Sequence, residues 1–293
     1  MTFKEILKER FLHDLGFDFR LRSGIGSKFR ITTKSPGILC GLIFVPTLLR
    51  IMEDEFFLDA LAIAGDERAR VNKIPTIVFP FKNDGDEIKS GDVIAEIVGD
   101  AEILLKAERH ICDIISKLSG IATHTNKKVA ELGMEEVFLL DTRKDDPLRR
   151  SIDKYAVRTG GARNHRAGLY DGTLIKDNDI EVFGGVKEAI DRRLEDTRFL
   201  TKIEIEVGDF VRLEEVLADG RVDAILLDNM HPGLLKEATR RIKLSGKNYL
   251  VEASGVGSMD LREVAETGVN AISLSSIVCD AKRLDISMKA VSE

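Results

Sequence analysis

Residues 202–229 read KIEIEVGDFVRLEEVLADGRVDAILLDN, and this stretch decides the fold. An apolar run at 202–207 is followed by a segment around 212–217 whose polar and apolar residues alternate as in a helix. A second apolar run follows at 224–227. Strands that alternate with helical segments are typical of a parallel sheet. The stretch therefore predicts one repeating unit of an α/β fold.

The same rhythm recurs through the second part of the chain. Apolar runs begin near residues 137, 173, 202, 224, 249 and 271, about 20–36 residues apart, with helical segments between them. No G-x-G-x-x-G follows the first run, so a dinucleotide-binding Rossmann fold has no support. The pattern favours a closed or nearly closed α/β barrel.

The first third of the chain has a different pattern. Strand character at 28–33 and 76–79 and an alternating run from Ser90 accompany two helical segments, 48–64 and 103–118. These features predict an α+β domain over residues 1–112. A barrel domain then occupies residues 113–280, and we expect the segment 281–293 to pack with the first domain.

Composition excludes several classes of protein. The 293 residues carry a net charge of −6, with 43% hydrophobic and 32% charged residues, which is too apolar for disorder. Three scattered cysteines are too few for a disulfide scaffold, and the longest apolar stretch is too short for a membrane span. Charges within the first 20 residues argue against a signal peptide. We therefore expect a cytoplasmic enzyme that binds neither membranes nor nucleic acids.

The acidic total conceals a basic segment. Between Asp141 and Lys176 there are nine Lys or Arg residues and only five acids. Four of these cations, Arg149, Arg150, Lys154 and Arg163, are best interpreted as solvated side chains or ion-pair partners. The local excess of positive charge nevertheless indicates a binding site for a small anion.

Polar residues follow the predicted strands where each one ends. In a parallel barrel these ends converge on one rim, where active sites are built. A basic set suits carboxylates or phosphates and consists of Arg143, Lys144, His165, Arg166 and Lys176. The residues Glu206 and Asp228 form an acidic set that suits Mg²⁺, sugar hydroxyls or a developing positive charge. The alternative for the acidic set is an ion pair with Lys176 or Lys202.

Several motifs occur in an order that resembles a known family. They read LSGIAT at 118–123, DTRK at 141–144, KYAVR at 154–158, NHR at 164–166, LYD at 169–171, LIKDN at 174–178, LDN at 227–229, EASG at 252–255 and LDIS at 284–287. This succession is similar to the signature of quinolinate phosphoribosyltransferase, also called nicotinate-nucleotide pyrophosphorylase (carboxylating). The resemblance is clearest from about residue 100 onward.

The resemblance implies a fold and a reaction. The fold is α/β, with an incomplete (β/α) barrel and an N-terminal α/β (α+β) sandwich domain. The reaction joins quinolinate and phosphoribosyl pyrophosphate, with Mg²⁺, and yields nicotinate mononucleotide, pyrophosphate and carbon dioxide for NAD biosynthesis. A homodimer is also implied, in which Arg109 of one subunit reaches the quinolinate of its partner.

The resemblance also assigns roles to residues of this chain. Quinolinate would be bound by Arg143, His165, Arg166 and Lys176. Lys144 falls between the base and the pyrophosphate, while Glu206 and Asp228 lie near the ribose and the metal. The phosphate-side residues would be Ser254, Gly255 and Ser275.

Departures from the family pattern lie around the motifs expected to hold phosphate. Acids occur at Asp145, Asp146, Asp179 and Asp280, and bulkier residues at Val256 and Cys279. A carboxylate beside a phosphate costs about 1–4 kcal/mol at about 4 Å, depending on the local dielectric. Two alternatives therefore stay open. One is a diverged paralogue that uses a related aromatic acid or another second substrate, and the other is a non-catalytic ligand-binding protein.

Overall fold

The computed structural model of the chain describes Glu5 and residues 25–64 and 74–292. The expectation that the first 20 residues contain no signal peptide lies almost wholly outside these residues. The chain divides into two compact units. Unit 1 comprises Met1–His124, Ser151–Gly160 and Ala281–Glu293, and unit 2 comprises Thr125–Arg150 and Gly161–Asp280.

Unit 1 is built on an antiparallel sheet. Its strands are β1 (Gly26–Thr33), β3 (Ile77–Pro80), β5 (Val93–Asp100) and β12 (Ile286–Ala290), in the order β12-β1-β5-β3. A second sheet pairs β2 (Gly37–Ile38) with β4 (Glu87–Ile88). The C-terminal segment lies in this unit because β12 pairs with β1.

Two helices complete the core of unit 1, namely α1 (Val45–Ala64) and the first part of α2 (Ala101–Leu132). A third helix, α3 (Arg150–Thr159), belongs to this unit from Ser151 onward. Apolar residues of the strands and helices, among them Ile31, Ile97, Leu48 and Ile111, are fully or almost fully buried in one cluster. The predicted boundary at residue 112 falls inside α2, where buried apolar residues continue at helical spacing past it. The two compact units divide after His124, which also lies inside α2.

Unit 2 is a six-stranded parallel sheet that does not close. Its strands are β6 (Phe138–Leu140), β7 (Thr173–Ile175), β8 (Ile203–Val207), β9 (Ala224–Asp228), β10 (Leu250–Ser254) and β11 (Ala271–Ser273), in the order β6-β11-β10-β9-β8-β7. The edges of the sheet are therefore β6 and β7, which are consecutive in the chain. This arrangement confirms the α/β fold class with an incomplete barrel.

Residues 161–172 follow α3 in the chain and precede β7, and we call them the seam segment. Its Arg163 forms a parallel bridge with Leu140 of β6. The Arg163 amide donates to the Leu139 carbonyl at 2.9 Å, and the Arg163 carbonyl accepts from the Asp141 amide at 3.2 Å. The seam segment thus extends the sheet past its edge strand and leads directly into β7.

Helices connect the strands of unit 2. They are α4 (Asp177–Phe183), α5 (Val186–Asp196), α6 (Phe210–Asp219), α7 (Pro232–Leu244), α8 (Leu261–Ala265) and α9 (Ser276–Cys279). Carboxylate caps fix where two of them begin, since Asp209 accepts from the Arg212 amide and Asp260 from the amides of Arg262 and Glu263. Within the described residues no helix is long and apolar enough to cross a membrane.

Strand alternation directs side chains toward the site. In β8 the residues Ile203, Ile205 and Val207 are buried on one face, and Glu204 and Glu206 project from the other. A strand of this composition is stable because the apolar face packs, while the carboxylates find polar partners in the barrel mouth. These partners define the site.

Candidate active site

A cavity of about 310 Å³ lies at the carboxyl ends of the unit 2 strands. This volume is at the lower end of the range for small-molecule sites. It is lined by residues from all six strands or the segments that follow them: Asp141, Thr142, Arg143, Lys144, His165, Arg166, Leu174, Lys176, Glu206, Leu226, Asp228, Asn229, Glu252, Ser254, Gly255 and Ser273.

The Asp141 carboxylate anchors the seam segment to the rim. It follows β6, is 1% exposed, and accepts from the His165 amide at 2.8 Å and from Asn164 Nδ2 at 2.7 Å. Hydrogen bonds to a carboxylate are stronger than those between neutral groups. Asp141 therefore fixes the backbone from which His165 and Arg166 project.

The His165 ring lies between two carboxylates of the barrel strands. Its Nε2 is 3.0 Å from Glu204 Oε2 on β8 and 3.3 Å from Glu252 Oε2 on β10. Burial alone would lower the pKa of His165, but the two hydrogen-bonded carboxylates outweigh burial and raise the pKa to about 10. His165 is therefore a cation at neutral pH.

The pKa of Glu204 is subject to two opposing effects. Burial raises the pKa of the Glu204 carboxyl, and the hydrogen bond from His165 opposes this effect. The proton resides on the imidazole, because two carboxylates stabilise the charged ring.

Two guanidinium groups lie close together on the basic side of the cavity. Burial and the neighbouring Arg143 both lower the pKa of Arg166, whose Nη1 donates to the Gly172 carbonyl at 3.2 Å. The buried Nε of Arg143 has no hydrogen-bond partner among the described residues. Clustered cations with an unused donor are costly unless an anion neutralises them, so this side of the cavity suits a multiply charged anion.

The alternative predicted for Glu206 is present in the structure. Lys176 Nζ lies 3.0 Å from Glu206 Oε2, and both side chains line the cavity. The half-exposed lysine keeps two further N–H donors, and the second carboxylate oxygen of Glu206 is not part of this contact. The pair is therefore compatible with binding an anion and a cation side by side.

Two side chains orient Asp228. The Ser254 hydroxyl donates to Asp228 Oδ1, and Asn229 Nδ2 lies 2.6 Å from Asp228 Oδ2. Asn229 has a positive φ of 55°, and its amide donates to the Ser254 carbonyl at 3.0 Å. Gly255 has φ 72°, and a Cβ placed on it would lie 2.2 Å from Asn229 Oδ1. Glycine at 255 is thus required for the turn that holds Asp228.

The unexpected acids after β6 have structural partners. Asp145 is bound by Arg150, with Arg150 Nε 2.9 Å from Asp145 Oδ1, and its side chain is 3% exposed. Asp146 Oδ1 accepts from the Leu148 amide at 3.0 Å. Neither acid lines the cavity. They stabilise the turn after the DTRK motif instead of facing a phosphate.

The acids near β7 and β11 are also outside the cavity lining. Asp179 Oδ2 accepts from the Lys176 amide at 2.9 Å as part of a capping box, and its Oδ1 is paired with Arg193. Asp280 is exposed at the end of α9, and Val256 is buried. Cys279 Sγ lies 3.0 Å from the Lys144 carbonyl. The departures therefore place no additional carboxylate on the cavity wall.

Two other predicted site residues lie elsewhere. Arg109 is exposed on α2 within unit 1. Ser275 precedes α9, and the β11 residue on the cavity wall is Ser273. Two of the cations between Asp141 and Lys176 that were interpreted as ion-pair partners or solvated side chains also have partners. Arg150 pairs with Asp145, and the Arg163 guanidinium lies 3.4 Å from the Phe138 ring centroid.

Sequence reasoning missed the partners of the charged groups. Glu204 and Glu252 contact His165, and Asn229 contacts Asp228, yet none was predicted as a site residue. The alternation of β8 offered a signal for Glu204, because it places Glu204 on the same face as Glu206.

The donor set of the acidic side fits Mg²⁺. Glu206 and Asp228 offer only carboxylate oxygens, which are the hard ligands that Mg²⁺ prefers beside waters and substrate phosphates. A second group with metal-ligand chemistry, His165 with Glu204 and Glu252, has its ligand atoms within 4.8 Å of one another. The two carboxylates keep His165 protonated, and a protonated ring cannot bind a metal, so that group is a poor metal site at neutral pH.

The fold and the cavity define an α/β-barrel protein with a site for a small polyanion. The chain matches the quinolinate phosphoribosyl transferase N-terminal domain over residues 14–119 and the C-terminal domain over residues 121–289. The chain belongs to this family.

Curated relatives and solved structures agree with this assignment. A probable nicotinate-nucleotide pyrophosphorylase [carboxylating] of Bacillus subtilis is 36% identical, covering 98% of this chain and 93% of the relative. A probable nicotinate-nucleotide pyrophosphorylase [carboxylating] of Methanocaldococcus jannaschii is 34% identical, covering 98% of this chain and 96% of the relative. The crystal structure of nicotinate-nucleotide pyrophosphorylase from Ehrlichia chaffeensis has a TM-score of 0.82 at 30% identity and covers 99% of each chain.

Substituting Gly255 tests the turn that orients Asp228. We expect Gly255→Ala to lower the free energy of unfolding by about 1–2 kcal/mol, because alanine is strained at positive φ and its Cβ would clash with Asn229. Gly257→Ala is the matched control, since its Cβ would meet only Leu274 Cδ2 at 3.8 Å. Urea denaturation of both variants measures the difference. Equal stabilities would contradict the role of Gly255.

Proposed function

We propose that this chain transfers a phosphoribosyl group from phosphoribosyl pyrophosphate to quinolinate with loss of carbon dioxide, giving nicotinate mononucleotide for NAD biosynthesis. The observation that carries the proposal is a single cavity lined both by the guanidinium groups of Arg143 and Arg166 and by the carboxylates of Glu206 and Asp228. Membership of the family supports the same reaction, because the curated relatives are named for it.

The basic side suits the two carboxylates of quinolinate. Arginine presents two parallel N–H donors to a carboxylate, and the Arg143 Nε has none of its hydrogen-bonding capacity used among the described residues. Lys176 adds a positive charge at the end of β7. Binding a dianion here relieves the repulsion between Arg143 and Arg166, which contributes to affinity.

The acidic side suits the ribose. As the bond between C1′ and the pyrophosphate oxygen breaks, positive charge develops on the ribose, and the Glu206 and Asp228 carboxylates stabilise it electrostatically. Asp228 is held in one orientation by Ser254 and Asn229, so little reorganisation is needed when charge develops. Lys144 stabilises the negative charge on the departing pyrophosphate.

Decarboxylation follows from the bond that forms. The ring nitrogen attacks C1′ and becomes cationic, and the adjacent carboxylate then leaves as carbon dioxide. The electron pair stays on the ring carbon beside the cationic nitrogen, which stabilises it until a proton is added. Catalysis therefore rests on orientation and electrostatics, and it needs no covalent enzyme intermediate.

Mg²⁺ is proposed as the metal of this site. Glu206 and Asp228 would hold it, directly or through water, together with substrate oxygens. When bound, Mg²⁺ would supply positive charge that stabilises the pyrophosphate leaving group. The two proposed ligands are part of the acidic side already described.

The alternative of a diverged paralogue rests on departures around the phosphate motifs, most of which are acids. Asp145 and Asp179 are instead paired with Arg150 and Arg193 and do not line the cavity. This arrangement supports use of phosphoribosyl pyrophosphate. A cytoplasmic location is also proposed, because the three cysteines are scattered along the sequence and too few for a disulfide scaffold.

A turnover assay tests the proposal. The purified protein with quinolinate, phosphoribosyl pyrophosphate and Mg²⁺ should form nicotinate mononucleotide and carbon dioxide in equal amounts.

Arg166→Ala should raise the dissociation constant for quinolinate at least about tenfold, because a hydrogen bond to a charged group contributes about 1.5–3 kcal/mol.

Isothermal titration measures the affinity. Arg198→Ala is the matched control, since Arg198 is exposed and does not line the cavity. Absence of mononucleotide from a folded protein would contradict the proposed reaction. An unchanged dissociation constant in Arg166→Ala would remove Arg166 from the substrate site.

A homodimer with a shared site is proposed on the family resemblance. Arg109 is exposed on α2 of unit 1, as donation to a partner subunit requires. In this arrangement each site combines the barrel residues of one subunit with Arg109 from the other.

Mixing two inactive variants tests the shared site. Arg109→Ala and Arg166→Ala should each lose activity. Subunit exchange between them should restore about a quarter of the wild-type rate, because half of the dimers are mixed and each has one intact site. The measurement is turnover before and after exchange. No recovery in a mixture shown to contain mixed dimers would contradict donation of Arg109.

A further inference from the structure

We infer that Glu204 and Glu252 are positioning residues for the proposed reaction, and that they bind His165 through Nε2 so that only its Nδ1 edge is available to substrate. The inference rests on the proposed function and deepens it. His165 then contributes a fixed positive charge and a single donor to quinolinate binding, in place of a freely rotating imidazole.

The geometry of the cluster carries this inference. Glu204 lies on β8 and Glu252 on β10, the two strands that flank β9. Their carboxylates converge on one nitrogen atom from both sides, at 3.0 and 3.3 Å, and their side chains are 13% and 7% exposed. One N–H shared by two acceptors fixes the position of Nε2 and the direction in which its N–H points. Rotation of the ring would leave two buried carboxylates without their donor, which is unfavourable.

Electrostatics gives the cluster its function. Without His165, two buried carboxylates would lie beside the site of a dianionic substrate and repel it. The imidazolium neutralises one of these charges, and the guanidinium of Arg166 on the same seam segment also acts on Glu204. Asp141, which follows β6, contacts the His165 backbone through its carboxylate. The pair thus keeps His165 charged, and His165 in turn makes the pair compatible with an anion.

The arrangement predicts how substrate binding depends on pH. A group with a raised pKa keeps its charge until the pH rises through that pKa, and for His165 this value is about 10. Quinolinate affinity should therefore vary less than about twofold between pH 6 and 9. Removal of one carboxylate lowers the pKa of His165, so that the ring loses its charge within this range.

Glu252→Gln and Glu204→Gln test the inference by binding, which does not require turnover. Each variant should bind quinolinate at pH 6 within about threefold of wild type and at least about tenfold more weakly at pH 9, since a charged partner becomes neutral. Glu215→Gln is the matched control, because Glu215 is exposed on α6 and outside the cavity. Wild-type-like pH profiles in both variants would overturn the inference.

Nitrogen-15 NMR of the histidine rings provides a direct reading in the unsubstituted protein, with the His165 signal identified by its absence from His165→Asn. We expect the His165 ring to stay protonated at pH 8 and its Nε2 proton to be protected from exchange. A ring that titrates near pH 6.5 would overturn the inference, even if a glutamine variant fails to fold. A pinned ring in a protein without turnover would support the inference and contradict the proposed reaction.

Discussion

The carboxylate of Asp141 is the contact on which the rest of the site depends. The parallel sheet of unit 2 ends at β6 and β7, and the seam segment bridges the edge strand β6 through Arg163. Asp141 binds that segment through the His165 amide and the Asn164 side chain. The open barrel thereby becomes a scaffold that presents His165 and Arg166 to the cavity.

The two signs of charge in the cavity follow from strand order. Cations come from the segments at the sheet edges: Arg143 and Lys144 after β6, Lys176 after β7, and Arg166 between them. Apart from Asp141, which holds the seam segment, the carboxylates come from the inner strands β8, β9 and β10. Each carboxylate has a donor that fixes it, as His165 does for Glu252 and Ser254 for Asp228. A substrate with a dianionic half and a half that develops positive charge matches this separation.

The sequence predicts the barrel and much of the cavity lining because both follow from local patterns. Apolar runs at regular spacing specify parallel strands, and polar residues at the ends of those runs must meet at one rim. Long-range pairing is less visible in a sequence. From the sequence alone, Asp145 and Asp179 are unfavourable neighbours for a phosphate. The structure pairs Asp145 with Arg150 and Asp179 with Arg193. The predicted boundary at residue 112 and the division after His124 lie inside one helix, so no local stop signal in the sequence marks where the two units separate.

Hydrogen exchange of the seam segment in Asp141→Asn tests most directly whether Asp141 holds this segment at the rim of the cavity. Asparagine keeps the size of the side chain but turns an N–H group toward a donor. We expect residues 161–172 to exchange at least about tenfold faster, with β8 and β9 unchanged and quinolinate binding weakened. Asp209→Asn makes the same substitution at the cap of α6 in the same unit, where the asparagine oxygen can still accept, and it should leave the seam segment protected. Unchanged protection of residues 161–172 in Asp141→Asn would contradict the account.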